Sequence, residues 1–401
     1  MMLTKPLMLS SLILLAVAPL AGARAADDVI RIGAPVAVTG QMANGGSKED
    51  QGFEMAVNAI NARGGVKVGS KHLKLELVKY DYQSQTNRAI QLVQRLITVD
   101  HVDFLVAPYG SGDTKATAAL AERYGIPMIA GAAATPSVFD QKFKNIFGIL
   151  FRNRAITEAE VSYVHGQRPA AKTLAVLALN SLYPKSIAGD LKDVAKAAGF
   201  NLLFDEVYAP STTDFADSLA QIKAKHPDWI YASGYTEDLI LLRRQMNELG
   251  VTAPLVTMTA GPAYPEFRAN LGAGADNVMT DSWWWPTADY KDSYIFGSAQ
   301  AYSEAFNKMH HQDPSYLEAA ASAGIEVLAQ AIEAAGTTDH AAVRKELSER
   351  RFDTFYGPIK FGPSGQNIQE NAIVLQIQKG NMVILAPQNL AQGKLVAPAI
   401  P

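Results

Sequence analysis

Residues 104–124 read FLVAPYGSGDTKATAALAERY, and this stretch decides the fold. Its first four residues, Phe104–Ala107, have the length and composition of a short buried strand. A glycine-rich loop follows, and Thr114–Tyr124 has the residue pattern of a helix. A second apolar run, Met128–Ala130, comes directly after that helix. The order strand, helix, strand predicts a parallel sheet covered by helices, which is an α/β fold.

The same alternation continues on both sides of this stretch. Upstream, we predict strands at Ile30–Val36 and Leu73–Tyr80 and helices at Lys48–Ala62 and Thr86–Val99. Downstream, we predict strands at Leu174–Leu179, Leu202–Tyr208, Trp229–Ser233, Leu255–Met258 and Val278–Ser282. Between them we predict helices at Ser186–Ala198, Phe215–Lys225, Asp238–Leu249 and Pro265–Asn270. Three more helices, Ser298–Met309, Tyr316–Ala335 and Ala341–Glu349, precede a hairpin-like end at 357–385. Because no long linker interrupts the pattern, we expect two doubly wound parallel-sheet lobes joined by several chain crossings.

The composition excludes several classes of function. The chain has 401 residues, 48% of them hydrophobic, which is enough for two domains with real cores. It contains no cysteine, which excludes disulfides, thiol catalysis, cysteine-ligated zinc and iron–sulfur clusters. The formal net charge of −3 argues against a general nucleic-acid binder, which normally carries a basic excess.

The first 25 residues have the features of a secretory signal peptide. Lys5 precedes an apolar run, Leu7–Leu20, that is too short to span a bilayer. Ala23 and Ala25 are the small residues at positions −3 and −1 of the predicted cleavage point after residue 25. An N-terminal membrane anchor is the alternative. Since no cysteine is available for acylation, we do not expect a lipoprotein. We expect a free, exported protein in the periplasm.

Sequence motifs for catalysis are mostly missing. There is no Walker loop, no dinucleotide fingerprint and no HExxH pair among the seven histidines. Ser111 misses the G-x-S-x-G nucleophile elbow by one position on each side. We therefore expect no enzyme, no metal and no cofactor. A periplasmic hydrolase that uses Ser111 stays open as an alternative.

Two strand–helix junctions of the first lobe could bind an anion. Gly110 and Ser111 join a strand end to a helix start, where backbone N–H groups and the helix dipole favour a carboxylate. The next junction, Ala132 to Thr135, has small side chains that leave the backbone uncovered. A helix cap by Asp113 or Thr114, or a tightly packed loop, would explain the same residues.

The second lobe offers acids and aromatic rings at its strand ends. Glu237 and Asp238 could hold an ammonium group, or could only cap a helix. Aromatic residues cluster nearby and could wall an apolar ligand, with core packing as the alternative. Our candidates among them are Tyr183, Tyr264 and Trp284. Trp284 is the middle residue of the run Trp283–Trp285.

Motifs along nearly the whole exported chain resemble one family. They include the stretches Ile32–Gly40, Gly52–Gly65, Leu77–Asp81, Tyr124–Ile129, Thr212–Phe215, Leu242–Gly250, Gly357–Phe361 and Val374–Gln378. In this order and spacing they resemble the branched-chain amino acid (Leu/Ile/Val) binding proteins of ABC importers, which have the type I periplasmic binding fold. The resemblance implies a ligand-binding cleft between two lobes that close on an amino acid.

The resemblance also implies roles for individual residues. Ser111 matches the serine that binds the ligand carboxylate, and Ala132 and Ala134 fall in the loop that supplies backbone contacts. Ala134 occupies the slot of the family's threonine, and Thr135 the next position. Tyr183 matches a tyrosine that covers the ligand. Asp238 lines up with the acid that neutralises the ammonium, or Glu237 if the register shifts by one. Gly45 stands where amino-acid binders often carry a bulky aromatic residue, which we expect to enlarge the pocket.

From these observations we expect a monomeric periplasmic binding protein with the permease subunits of an ABC importer as partners. Its ligand would be an amino acid or a related small carboxylate; an aromatic acid, an amide or a urea-type ligand is the alternative, as is a soluble sensor relay. We expect the first lobe to comprise 26–149 and about 283–372, and the second 150–282 and about 373–401.

Overall fold

The computed structural model describes residues 29–398. The predicted signal peptide at 1–25 lies outside the described residues. Within the part of the chain that the structure describes, no helix is both long enough and apolar enough to cross a membrane.

Two seven-stranded sheets form the centres of two lobes. The first sheet contains β1 (Val29–Val36), β2 (Val66–Val68), β3 (Lys71–Asp81), β4 (Phe104–Val106), β5 (Met128–Ala130), β6 (Ile146–Phe151) and β14 (Gln366–Asn367). The second contains β7 (Thr173–Leu179), β8 (Asn201–Tyr208), β9 (Trp229–Ser233), β10 (Leu255–Met258), β11 (Met279–Ser282), β15 (Ile373–Gln378) and β16 (Asn381–Ala386). A separate hairpin pairs β12 (Arg351–Thr354) with β13 (Gly357–Lys360). The predicted α/β class with two parallel-dominated sheets is confirmed.

Helices cover both sheets. They are α1 (Ala43–Ala62), α2 (Thr86–Thr98), α3 (Ser111–Tyr124), α4 (Pro136–Phe139), α5 (Asn153–Gln167), α6 (Leu182–Ala197), α7 (Ala216–Lys225), α8 (Thr236–Glu248), α9 (Pro265–Leu271), α10 (Ala299–His310), α11 (Tyr316–Ala335) and α12 (His340–Glu349). Two short 3₁₀ turns lie at Gly261–Ala263 and Gly272–Ala275. Helix α11 is buried over most of its length and packs on α1, where a Cβ at Gly52 would lie 2.4 Å from the Glu318 carbonyl oxygen. The first core therefore depends on a close helix–helix approach.

The chain passes between the two sheets three times. It leaves the first sheet after β6, returns after β11 through α10 to α12 and β14, and enters the second sheet again at β15. In the first sheet β1 lies between β3 and β4, and in the second β7 lies between β8 and β9. At each of these places the strand order reverses, and a crevice opens beyond the carboxyl ends of the strands.

Several predicted bounds differ from the observed ones. Helix α3 begins at Ser111 instead of Thr114, and α6 begins at Leu182 instead of Ser186. Both loops are therefore tighter than expected, and candidate site residues lie inside first helical turns. Strand β6 and helix α5 were not predicted, although they carry the first crossing. The hairpin-like end is divided: β13 pairs with β12, β14 joins the first sheet, and only β15 and β16 pair with each other.

Candidate functional site

The two crevices face each other across a cleft, and residues after β1, β4, β7 and β9 line it. The cleft contains two cavities. The inner one has a volume of about 20 Å³, enough for one water molecule. The outer one has a volume of about 510 Å³, which is in the range of small-molecule sites.

Ser111 forms the centre of a donor cluster in the first lobe. It is the first residue of α3 and is fully buried. Its Oγ accepts hydrogen bonds from the backbone N–H groups of Ala134 and Thr135, at 3.3 Å each. Gly110 precedes it with a φ of +86°, a conformation that strongly favours glycine. Two N–H groups, a hydroxyl and the α3 dipole thus converge on one point, as carboxylate binding requires.

The two anticipated caps of α3 have other roles, because the helix already begins at Ser111. The Thr114 hydroxyl donates to the Pro108 carbonyl oxygen at 2.9 Å. The Asp113 carboxylate accepts a hydrogen bond from the Thr86 hydroxyl at 2.6 Å. Burial raises the pKa of Asp113, and the hydroxyls of Thr86 and Tyr82 beside it oppose that shift.

The inner cavity has a mostly apolar and aromatic wall with no charged side chain among its described lining residues. These are Tyr109, Gly110, Ala132, Ala134, Leu150, Tyr183, Tyr235, Ala260, Trp283, Tyr316 and Leu317. Four candidates from the sequence, Gly110, Ala132, Ala134 and Tyr183, are therefore brought together here. Thr135 is buried beneath them, and its backbone N–H contributes to the donor cluster.

The outer cavity is polar and acidic. Its charged lining residues are Asp113, Glu237 and Asp238, and within residues 29–398 no basic side chain lines it. Burial raises the pKa of both Glu237 and Asp238. The Asp238 carboxylate accepts the Tyr235 N–H at 3.1 Å, so it stabilises the start of α8. The helix-capping alternative thus describes the observed contact of Asp238, with Tyr235 as the residue before the helix.

Two tyrosines separate the cavities. The rings of Tyr109 from the first lobe and Tyr235 from the second lie 6.1 Å apart, and both residues line both cavities. A Cβ at Gly45 would lie 2.3 Å from the Tyr109 ring. The expectation that Gly45 enlarges the pocket is therefore corrected, because the Tyr109 ring occupies the space that glycine leaves.

Tyr264 and Trp284 do not line either cavity. The hydroxyls of Tyr264 and Tyr316 are hydrogen-bonded at 2.9 Å, which places Tyr264 behind the wall. The Trp284 indole donates to the Phe355 carbonyl oxygen at 3.2 Å and is fully buried in the core. Trp283 lines the inner cavity instead, with its ring 4.9 Å from that of Tyr316. Strand alternation could not separate the two tryptophans, because β11 ends before them at Ser282.

Sequence reasoning missed Tyr109, Tyr235 and Tyr316 as site residues. Tyr109 directly precedes Gly110 in the glycine-rich loop, and Tyr235 lies two residues before Glu237. Their positions beside candidate residues could have identified both tyrosines from the sequence. Tyr316 begins α11, far from the other wall residues in sequence. Only the packing of α11 against α1 and the first sheet brings it to the cavity.

A pair of acids is buried behind the second-lobe wall. Asp281 Oδ1 accepts the N–H of Ala260 at 3.1 Å, and Glu160 is hydrogen-bonded to the Tyr231 hydroxyl at 3.3 Å. Both carboxyls are fully buried. Burial raises the pKa of Asp281 to about 6. Burial and the neighbouring Asp281 raise the pKa of Glu160 well above its ordinary value.

An ion pair between α1 and α9 joins the two lobes. The Lys48 ammonium on α1 lies 2.9 Å from Glu266 Oε1 on α9 and 3.6 Å from Glu318 Oε1 on α11. Lys48 is only 4% exposed, so solvent screens this contact less than a surface pair. The pair with Glu266 joins the two lobes, whereas the pair with Glu318 lies within the first lobe.

The known proteins that resemble this chain in sequence are binding proteins. The family model described as "Periplasmic binding protein" matches residues 29–381. The chain is 26% identical to the Leu/Ile/Val-binding protein homolog 7 of Brucella abortus, covering 96% of this chain and 99% of that protein. It is 27% identical to the leucine-, isoleucine-, valine-, threonine- and alanine-binding protein of Pseudomonas aeruginosa, covering 88% of this chain and 90% of that protein.

A solved structure shows the same architecture. The branched-chain amino acid transporter substrate-binding protein LivJ from Streptococcus pneumoniae, in complex with isoleucine, superposes with a TM-score of 0.79 at 24% identity. The match covers 90% of this chain and all of that chain. With the family model matched over most of its length, this chain belongs to the periplasmic binding protein family.

Proposed function

We propose that this chain is the periplasmic substrate-binding component of an ABC importer and that it binds an amino acid or a related small carboxylate. The donor cluster of Ser111, Ala134 and Thr135, next to the inner cavity that Gly110 and Ala134 line, carries this proposal. A carboxylate placed there would accept the hydrogen bonds that the N–H groups of Ala134 and Thr135 donate to Ser111 Oγ in this structure. Charge-assisted hydrogen bonds of this kind are about twice as strong as neutral ones.

In the proposed mechanism, the ligand binds the first lobe while the lobes are apart. Closure then adds the second-lobe side chains Tyr183 and Tyr235. Because those contacts exist only in the closed form, the ligand shifts the equilibrium between open and closed states. The rings of Tyr109 and Tyr235 move apart to admit it, which joins the two cavities.

Two rigid lobes are part of the proposal, with bounds at 26–149 plus about 283–372 and at 150–282 plus about 373–401. The crossings after β6, β11 and β14 support these bounds. We further propose a signal peptide cleaved after Ala25, a monomeric mature protein, permease subunits that recognise the closed form, and binding without turnover.

The ligand class draws support from the curated relatives. The Pseudomonas aeruginosa relative is named for binding leucine, isoleucine, valine, threonine and alanine. Its 27% identity extends over most of both chains.

Ser111→Ala tests the carboxylate anchor. The variant loses a hydroxyl next to a charged group, an interaction worth about 1.5–3 kcal/mol, so the dissociation constant for a bound carboxylate should rise at least about tenfold. Isothermal titration calorimetry measures this constant, with Ser348→Ala on the exposed face of α12 as the matched control. Unchanged affinity in Ser111→Ala would remove the anchor from the proposal.

A further inference from the structure

A strained backbone turn forms part of the wall of the inner cavity. Ala260, which lines that cavity, has a φ of +62° and a ψ of −65°. The Gly261 N–H donates to the Thr259 carbonyl oxygen at 2.7 Å. Together these values define a γ-turn of the rare form that has a positive φ at its centre. A non-glycine residue persists in such a conformation only where the surrounding structure holds it there.

The turn directs the chain toward two contacts between the lobes. After Ala260 the chain forms a short 3₁₀ turn and reaches Tyr264 and then Glu266. The Tyr264 hydroxyl is hydrogen-bonded to the Tyr316 hydroxyl on α11 at 2.9 Å. Glu266 pairs with Lys48 on α1. The conformation of Ala260 therefore affects both the cavity wall and the path of the chain to these contacts.

Helix α8 packs against one side of the turn. A Cβ at Gly261 would lie 3.0 Å from Leu239 Cδ1 and 3.3 Å from the Thr236 Cα on that helix. Contacts of this length are tighter than ordinary packing, so the turn has no room to move toward α8.

The carboxyl group of Asp281 holds the turn from the neighbouring strand. Asp281 lies on β11, and its Oδ1 accepts the Ala260 N–H at 3.1 Å. Both residues are buried, so without this acceptor the N–H would be left without a hydrogen bond in the interior. The hydrogen bond therefore favours the strained turn over the ordinary backbone conformations of an alanine.

We infer that Asp281 is a positioning residue of the ligand site, because by accepting the Ala260 N–H it keeps the turn in the conformation that completes the cavity wall. The inference rests on the proposed function, since it concerns the site at which that ligand would bind. Asp281 acts through the turn and does not touch the ligand. Only molecules with the turn formed are competent to bind, so the apparent dissociation constant rises as their fraction falls.

Calorimetry on the mature protein, unfolded and refolded to remove bound ligand, tests the inference. The probe is whichever of leucine, isoleucine, valine, threonine, alanine and benzoate binds the wild-type protein most tightly. Asp281→Ala should raise its dissociation constant about tenfold or more, because the turn loses its support. Asp281→Asn keeps an oxygen acceptor and should stay within about threefold of wild type. An equal loss in both variants, or no loss in Asp281→Ala, overturns the inference.

Glycine at position 260 distinguishes positioning from a general loss of stability. Because glycine adopts a positive φ without the steric cost of alanine, its turn needs less support. In an Ala260→Gly background, Asp281→Ala should therefore raise the dissociation constant by at most about threefold. The same tenfold loss in both backgrounds overturns the inference.

Asp228→Ala is the matched control in the second lobe. The Asp228 carboxylate accepts the backbone N–H groups of Lys172 and Thr173 at 2.8 and 2.9 Å, at the start of β7. This variant should lower the urea midpoint and leave the dissociation constant unchanged. A loss of affinity as large as that of Asp281→Ala would mean that affinity follows stability, which overturns the inference. If Asp281→Ala does not fold, Asp281→Ser, whose side chain is one bond shorter than that of aspartate, replaces it with the same expectations.

Hydrogen–deuterium exchange without ligand separates the inference from the proposed function. The Ala260 amide should exchange at least about tenfold faster in Asp281→Ala than in wild type, and it should stay protected in Asp281→Asn. If none of the six probes binds the wild-type protein, the proposed function fails and the exchange rates alone decide the inference. Equal rates in wild type and Asp281→Ala overturn the inference and leave the proposed function intact.

Discussion

At the scale of single residues, neighbours in sequence have different roles. Trp283 and Trp284 are both buried, and each indole donates to a backbone carbonyl, of Phe151 and Phe355 respectively. Only Trp283 also reaches the inner cavity. Its partner Phe151 is the last residue of β6, where the chain leaves the first sheet. Trp283 therefore connects the cavity wall to the first crossing.

Replacing each tryptophan by phenylalanine separates these roles. Both variants leave a buried carbonyl oxygen without its donor, so each should lower the free energy of unfolding by about 1–3 kcal/mol. Only Trp283→Phe should also change the dissociation constant for the ligand. Urea unfolding and calorimetry measure the two quantities. An affinity change in Trp284→Phe, with none in Trp283→Phe, would reverse the assignment.

At the scale of elements, the first turn of α1 sets the shape of the cleft. A Cβ at Gly45 would meet the Tyr109 ring, whereas a Cβ at Gly46 would lie 2.2 Å from the Ala37 backbone oxygen. A ring can rotate away, but a backbone atom in β1's continuation cannot move cheaply. Gly45 therefore leaves room for the Tyr109 ring that separates the two cavities, whereas Gly46 allows α1 to pack closely against the chain after β1.

Alanine at each glycine tests this difference. Gly45→Ala should displace the Tyr109 ring and change ligand affinity with a loss of stability of about 1 kcal/mol, while Gly46→Ala should cost about 1–3 kcal/mol or more through overpacking. The unfolding free energies come from denaturant titration, with affinities from calorimetry. Equal stability losses and equal affinities in both variants would contradict this interpretation.

The contact between β11 and α5 gives a prediction for pH. The pKa of Asp281 is about 6 in the folded protein, above the ordinary value near 4, because the carboxyl is buried. The folded state therefore holds this proton more tightly than the unfolded state. Its contribution to stability is full below about pH 4 and is lost as the pH rises through about 6, and Glu160 acts in the same direction.

Asp281→Asn should flatten this decline, because the amide does not titrate and its oxygen can still accept the Ala260 N–H. The measurement is the free energy of unfolding in urea across the range from about pH 4 to 8. Glu158→Gln, at an exposed position of α5, should leave the pH profile unchanged. An identical decline in wild type and Asp281→Asn would show that other groups cause it.

Much of the fold follows from local sequence patterns. Runs such as Phe104–Ala107 and Trp229–Ser233 specify strands by themselves, and the glycine-rich junctions indicate where the sheet edges bind a ligand. Helix starts are harder to predict from the sequence, because α3 begins at Ser111 without a side-chain cap. The contributions of Trp283 and Tyr316 to the inner cavity could not be predicted from the sequence, because tertiary packing brings these distant segments together.

At the scale of the whole molecule, the proposed mechanism makes ligand affinity depend on the balance between open and closed lobes. Lys48 joins the lobes through Glu266, while its other partner Glu318 lies in the same lobe as Lys48. Removing the Glu266 charge should therefore destabilise the closed form alone.

Glu266→Gln is expected to raise the ligand dissociation constant about two- to tenfold. The reason is that the closed form loses a partly exposed ion pair, which contributes about 1 kcal/mol. Small-angle X-ray scattering without ligand should show a larger radius of gyration. Glu346→Gln, which removes an i,i+4 pair with Arg350 on α12, is the matched control. A Glu266→Gln protein with wild-type scattering and affinity would exclude a closing role for Lys48.

The placement of β14 has a consequence for the order of folding. Its Asn367 donates to the Ile149 carbonyl oxygen on β6 across 218 residues of sequence. Until synthesis has passed residue 367, β6 therefore has an unpaired edge, and the second sheet also lacks β15 and β16. Such long-range pairing forms late and slowly. Neither sheet can be completed on a partly synthesised chain, because one edge strand of each sheet lies between residues 366 and 386.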